Sequence, residues 1–164
     1  MTRKKVTSIT GAEAVKLMPL FHNVAFCKIA AQIQDALSAT PLLPFPELNR
    51  LDEELLQWHT NLPPVLKRDM SHVLDDHPSR RPRKRELLNT PSMIMLWRYQ
   101  NLRLLLHRPV LLATALRNGS EATLSAEEKV GVGRCQAVAA RTISDISDMC
   151  PEDLLAGWNG VWFM

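Results

Sequence analysis

Apolar residues recurring every three or four positions, few glycines beside many leucines, and helix-start and helix-stop residues between the periodic stretches predict an all-α protein. The expected architecture is an irregular helical bundle, incomplete at both ends. At 164 residues the chain is long enough for one domain with one core, and a hydrophobic content of 46% excludes wholesale disorder. A net charge of +3 gives no strong field for nucleic acid. Cys27, Cys135 and Cys150 are scattered and odd in number, which argues against a secreted disulfide framework and for a reducing compartment, cytosol or nucleus. The opening MTRKKVTSITGAE carries positive charge with no apolar run behind it, so it does not read as a signal peptide. The most apolar stretch, Leu102 to Leu116, is broken by Arg103, His107, Arg108 and Pro109, so it cannot span a bilayer and no membrane partner is expected.

Residues 1–17 read as a polar lead-in. A first helix is expected from about Leu20 to Ala39, with Phe21, Val24, Ala25, Ile29, Ile33 and Leu37 aligned on one face. Pro41, Pro44 and Pro46 force the chain out of that helix. A second helix is expected from about Glu47 to Thr60. Leu48, Leu51, Leu55 and Trp58 share its apolar face, and Asp52, Glu53 and Glu54 fall mostly on the other. Pro63 stops it by biasing Leu62 away from helix. Residues 67–90 read as a charged loop, after which Thr90 caps a central helix with Pro91 in its first turn, where a missing N–H costs nothing. From Met93 to Leu106 nearly every face is apolar, so burial on most sides is expected, with Trp97 and Trp58 inside one bundle. Pro109 should kink this helix rather than end it, because Val110 to Leu116 remains helix-friendly, and Asn118-Gly119 is the stop signal. Ser125-Ala126-Glu127-Glu128 is a capping box. The helix it opens carries Val130, Cys135, Val138, Ala139, Thr142, Ile143, Ile146 and Met149, and Cys150-Pro151 ends it. The apolar tail, with Trp158, Val161, Trp162 and Phe163, reads as a cut-off element, since exposed terminal aromatics would favour aggregation.

Few residues invite a chemical role. His72 and His77, with Asp75 and Asp76 between them, match no tight ligand spacing and read as a solvated linker, so no metal site is assigned. His107 and Arg108 would need a nucleophile and an orienting acid to act in catalysis, and the sequence nominates neither. Both are read as structural, bonding backbone carbonyls freed by Pro109. No catalytic or cofactor-binding residue is assigned, and the chain is not expected to be an enzyme. Cys135, among Val138, Ala139 and Thr142, reads as a small core residue rather than a redox thiol. The absence of CxxC spacing excludes a thiolate zinc cluster built from this chain alone. The basic run of Arg80, Arg81, Arg83, Lys84 and Arg85 has three readings: a solvated charge run, a nuclear import signal or a phosphate contact.

Three segments carry a resemblance. The first is LDEELLQWHTNLPPVLK, with Trp58 and Pro63. The second is LLLHRPVLL, with His107, Arg108 and Pro109 and with Trp97 upstream. The third is CQAVAA, which begins at Cys135. In this order, and preceded by LMPLFHNVAFCKIAAQIQDALS, they resemble the C-terminal part of the middle homology region of fungal zinc-cluster transcription factors, regulators with a six-cysteine, two-zinc DNA-binding module. The resemblance covers residues 18–164 as a partial regulatory domain, with the charged loop at 67–90 inside it. It implies an all-helical, non-catalytic fragment that controls transcription in the intact relative and resides in the nucleus. Protein partners or the rest of such a factor would surround it, with a small-molecule inducer as a candidate ligand. Zinc belongs to the family's DNA-binding module, which is missing here along with the coiled coil, so no cofactor and no sequence-specific DNA binding are expected of this chain. The alternative, from a different class, is a free-standing helical scaffold that binds a protein partner through apolar grooves.

Overall fold

The computed structural model describes residues 11–67, 83–117 and 124–149 and holds four helices, with no strand among the described residues. They are α1 (Gly11–Ala39), α2 (Phe45–Thr60), α3 (Arg83–Leu116) and α4 (Ala126–Met149). The chain is therefore all-α and bundle-like, as expected. Helix α3 is the axis: α1, α2 and α4 each pack along it, and α1 and α2 also pack on each other. Contacts along α3 fix the directions. Asp52 meets Arg103 and His59 meets Tyr99, so α2 runs antiparallel to α3. Gly131 lies beside Val110 and Asp145 beside Gln100, so α4 does too.

Local chemistry explains most of the boundaries. Helix α2 starts once the prolines after α1 are passed, with Pro46 in its first turn and Glu47 favourably placed against the helix dipole. Its buried stripe is Leu48, Leu51, Leu55 and Trp58, together with Asp52. The Asn61 N–H donates to the Gln57 carbonyl at 2.9 Å to close it. The Pro63 carbonyl then accepts from the Leu66 and Lys67 N–H groups, in a turn that buries Leu62 and Leu66. Helix α4 opens on the expected capping box: the Glu128 N–H donates to Ser125 Oγ at 3.1 Å, and the Ser125 N–H to Glu128 Oε2 at 2.9 Å.

One core joins α1, α2 and α3 through Phe26, Ile33, Leu51, Leu55, Trp58 and Leu106. Trp58 stacks obliquely on Phe26, with ring centroids 4.9 Å apart, and donates its indole N–H to the His22 carbonyl at 3.0 Å. The bulkiest core ring thus also satisfies its polar atom. Trp97 is buried with Met93 in a second, smaller cluster, and Leu96 packs against both. Both tryptophans lie inside the bundle, as expected.

Four expectations need correction. Helix α1 begins at Gly11, not near Leu20, and runs through Pro19. Its buried face is also rotated: Phe26 and Ile33 are buried and Ile29 and Leu37 pack on the core, but Phe21 and Val24 are exposed. Helix α3 begins at Arg83, so the segment 83–90 is helix rather than loop, and Pro91 lies inside it instead of at a Thr90-capped start. Leu88, fully buried, gives those added turns a reason to form. In α4 the inward stripe is Gly131, Cys135, Val138 and Asp145, while Val130, Ile143 and Ile146 are exposed. Helix α3 does continue through Pro109 to Leu116. The tail residues Trp158, Val161, Trp162 and Phe163, and the segment 68–82, lie outside the described residues. By length and composition α1, over Ala14–Ala39, is the one helix among the described residues that would suffice to cross a membrane; here its inner face is packed into the bundle.

Gly131 packs tightly in the α3–α4 seam: an added Cβ would lie 3.0 Å from Val110 Cγ1 and 3.6 Å from Phe45 Cε1. At Gly133 a Cβ would meet nothing within 4 Å. Gly131→Leu should therefore destabilise the protein by about 1–3 kcal/mol through overpacking. Gly133→Ala should stabilise it by up to about 1 kcal/mol through helix propensity. Urea unfolding of the pair checks the seam, because opposite signs are expected two residues apart.

Candidate functional site

Helix α3 is apolar over most of its middle, yet it places Tyr99, Arg103 and His107 at four-residue intervals, one above another. Facing them is Asp52 of α2, which is only 2% exposed. The Arg103 guanidinium grips this carboxylate with two bonds, Nε to Oδ1 at 2.6 Å and Nη2 to Oδ2 at 2.9 Å. The approach of His107 Nε2 to Oδ2, at 3.4 Å, is longer than an ordinary hydrogen bond. Arg134 reaches in from α4, its Nη1 3.9 Å from Asp52 Oδ2 and 2.6 Å from Asn49 Oδ1, to which it donates. Three helices thus converge on one buried carboxylate.

The electrostatics follow from that enclosure. Burial alone would raise the Asp52 carboxyl, but the interactions with His107 and Arg103 more than reverse it, and the group sits well below the usual carboxylate range. Arg103, with its two bonds of ordinary length, is the firmer of the two partners. Next to it, the Tyr99 ring lies flat on His59, centroids 4.5 Å apart and 11° from parallel. His59 is pushed below its ordinary value by burial first, then by the charges of Lys67 and Arg103. A second buried carboxylate, Asp145 of α4, accepts from Gln100 of α3 and pairs with Arg141 at 2.9 Å.

Beside the cluster, between the start of α2 and the start of α4, lies a cleft of about 230 Å³. Phe45, Leu48, Val130 and Gly131 give it apolar walls, and Asn49, Glu127 and Arg134 are its polar lining. Both Asp52 oxygens are held by Arg103, so the carboxylate is anchored rather than offered to a ligand. The polar group shared by cluster and cleft is Arg134. This arrangement can bind a small, largely apolar molecule.

The residues singled out from sequence are partly brought together. Trp58 packs against Tyr99 and His107 faces Asp52 in the α2–α3 seam, Trp97 is buried in the separate cluster with Met93, and Pro109 immediately precedes the buried Val110. Cys135 is buried on α4, and burial pushes its thiol up, partly offset by the charge of Arg108. His107 turns toward Asp52 instead of bonding carbonyls freed by Pro109, and Arg108 is exposed. Pro63 anchors the turn after α2. Arg83, Lys84 and Arg85 fall in the first turn of α3, while Arg80, Arg81, His72 and His77 lie outside the described residues. No group of three or more metal-ligating side chains occurs among the described residues. Asp52, Arg103, Arg134 and Asp145 were not anticipated, and Asp52 was placed on the solvent side. A signal did exist: an arginine and a histidine inside an apolar helix require a buried acid on a neighbouring element. The chain matches no family model, no curated protein and no solved structure.

Removing one partner of the ion pair leaves the other buried and uncompensated. Asp52→Ala should cost about 3–5 kcal/mol, and Asp52→Leu combined with Arg103→Met should recover most of that loss. Chemical denaturation of the single and double variants checks the coupling. Acid titration of stability should separate two groups. His59, with a folded value below 6.5, costs stability as pH falls through 6.5, and His59→Gln removes that step. Asp52, with a folded value below 3.8, contributes stability above that pH and loses it on further acidification, so Asp52→Asn should flatten the acid limb.

Proposed function

We propose that this chain is part of the regulatory, non-catalytic helical domain of a fungal-type zinc-cluster transcription factor, acting in the nucleus on the DNA-binding and activation segments of the intact protein. One observation carries this reading: two of the segments behind the resemblance, far apart in sequence, meet in space, and the third is buried on its own helix. LDEELLQWH supplies Asp52 and Trp58 from α2, LLLHRP supplies His107 beside Arg103 on α3, and CQAVAA supplies Cys135 and Val138 on the inward side of α4. The apolar cleft edged by Arg134 supports a small-molecule inducer as the ligand of such a domain. Zinc and specific DNA contacts belong, on this reading, to the separate six-cysteine module.

The second reading, a free-standing scaffold for a protein partner, is favoured by a different observation. Leu17, Leu20, Phe21 and Val24 form an exposed apolar stripe on α1. Full-length transcripts covering the 5′ side of this reading frame separate the two. Transcripts that join a six-cysteine cluster in frame are expected. Transcripts that carry this frame under several growth conditions and never join such a cluster overturn the regulatory reading in favour of the scaffold.

A further inference from the structure

Helices α2 and α4 both run antiparallel to α3, so they are parallel to each other and begin at the same end of the bundle. The cleft of about 230 Å³ lies between their first turns. Its inner surface is apolar, built from the half-buried ring of Phe45, the buried Leu48 and the bare backbone of Gly131. Its polar residues carry opposite charges: Glu127 is exposed and Arg134 is partly so. Helix starts ordinarily attract anions, but these two are already answered. At α4, Ser125 and Glu128 cap each other and Glu127 sits in the first turn. At α2, Pro46 has no N–H to offer, the Leu48 N–H donates to the Pro44 carbonyl, and Glu47 sits in the first turn. Arg134 is engaged as well, by Asn49 Oδ1 at 2.6 Å and by the nearby Asp52. An anion in the cleft would meet Glu127, and a cation would meet Arg134. What remains to be matched is apolar surface.

We propose that this cleft binds an uncharged molecule of two fused apolar rings, and that the bound molecule joins the start of α2 to the start of α4. Size follows from volume. An apolar cavity of roughly 150 Å³ takes one benzene ring, so a cleft of about 230 Å³ suits two fused rings. Flatness follows from the wall: Phe45 Cε1 would lie 3.6 Å from a Cβ at Gly131, so ring and backbone form one smooth surface on which a planar ligand can stack. Neutrality follows from the lining, because a charged group would lose its water here without gaining a partner that is not already engaged. The inference deepens the small-molecule part of the regulatory reading and rests on it, yet the two fail separately. Binding by a chain never joined to a six-cysteine cluster keeps this inference and overturns the family. A joined cluster without binding does the reverse.

Titration of the full chain at neutral pH with three probes sharing one ring system tests it: 2-naphthol, the anion 2-naphthoate and the cation of 2-naphthylmethylamine. Amide shifts in nuclear magnetic resonance locate the site. 2-Naphthol should bind with a Kd on the order of 0.1 mM, since the cleft is open to solvent on one side, and should shift Phe45, Val130 and Gly131. Both charged probes should bind at least about 10-fold more weakly. Val130→Trp and Ala126→Trp each fill the cleft from an exposed position, so far-UV circular dichroism should be unchanged while 2-naphthol affinity falls about 10-fold or more. Ile143→Ala, further along α4 and 69% exposed, should leave the affinity as it is. Joining of the helices is read by hydrogen exchange: saturation with 2-naphthol should slow amides in the first two turns of both α2 and α4. Absence of 2-naphthol binding up to its solubility overturns the proposal. So does a charged probe that binds as tightly, binding that survives both tryptophan variants, or protection confined to one of the two helices.

Discussion

Leucine faces attract without specifying register, and the bundle solves that problem with the Asp52–Arg103 pair. Between α2 and α3 the apolar residues could exchange partners after a slip of one helical turn with modest loss of buried area. The same slip would strand a carboxylate and a guanidinium in a nearly dry seam, a far larger penalty. The pair is therefore best understood as a selector of one arrangement rather than as a net source of stability. Its influence extends sideways. Arg103 lies against Tyr99, Tyr99 against His59 and Trp58, and Trp58 against Phe26, so the position of α1 follows from the register of α2 on α3.

Helix α4 is attached by different means. It packs tightly on Val110 of α3 where Gly131 has no side chain, and its far end is held by Asp145 between Gln100 and Arg141. The apolar cleft results from the same geometry: α4 comes close enough to Val110 to form a wall, while the start of α2 forms the other. Arg134 belongs to both features, since it lines the cleft and contacts Asn49 and the edge of Asp52. A molecule filling the cleft would therefore act on the same side chain that connects α4 to the α2–α3 register, which links occupancy to helix arrangement without any long-range path.

Much of this fold was legible in the sequence, and the exceptions have physical causes. The face of α2 could be read because its outward positions are charged and its inward ones are leucine and tryptophan. The start of α4 could be read because Ser125 and Glu128 are local partners. The inward face of α1 could not, because residues 17–26 are apolar on both sides and periodicity has nothing to choose between. That choice is made by Phe26, which finds the ring of Trp58. The start of α3 was misplaced because a proline in a first turn and a proline two turns inside a helix look alike in sequence; burial of Leu88 decides. Asp52 was misread because its partner lies in another helix and its neighbours Glu53 and Glu54 are solvated. The buried cluster was thus hidden in the sequence even though the residues that contact it stood out.

Pro91 and Pro109 carry a mechanical consequence. Each leaves a carbonyl of the preceding turn without its intrahelical donor, and the two are five full turns apart, on the same side of α3. Bends at these two points would lie in one plane and add as a bow rather than a zigzag. They also divide the helix into three rods. The middle rod holds Trp97, Tyr99, Gln100, Arg103 and His107, and with them nearly every polar attachment to α2 and α4. The outer rods hold Leu88 at one end and Val110 at the other. Opening should then be hierarchical: the outer rods fray at low free energy, whereas amides between the prolines exchange with solvent only when the whole bundle comes apart.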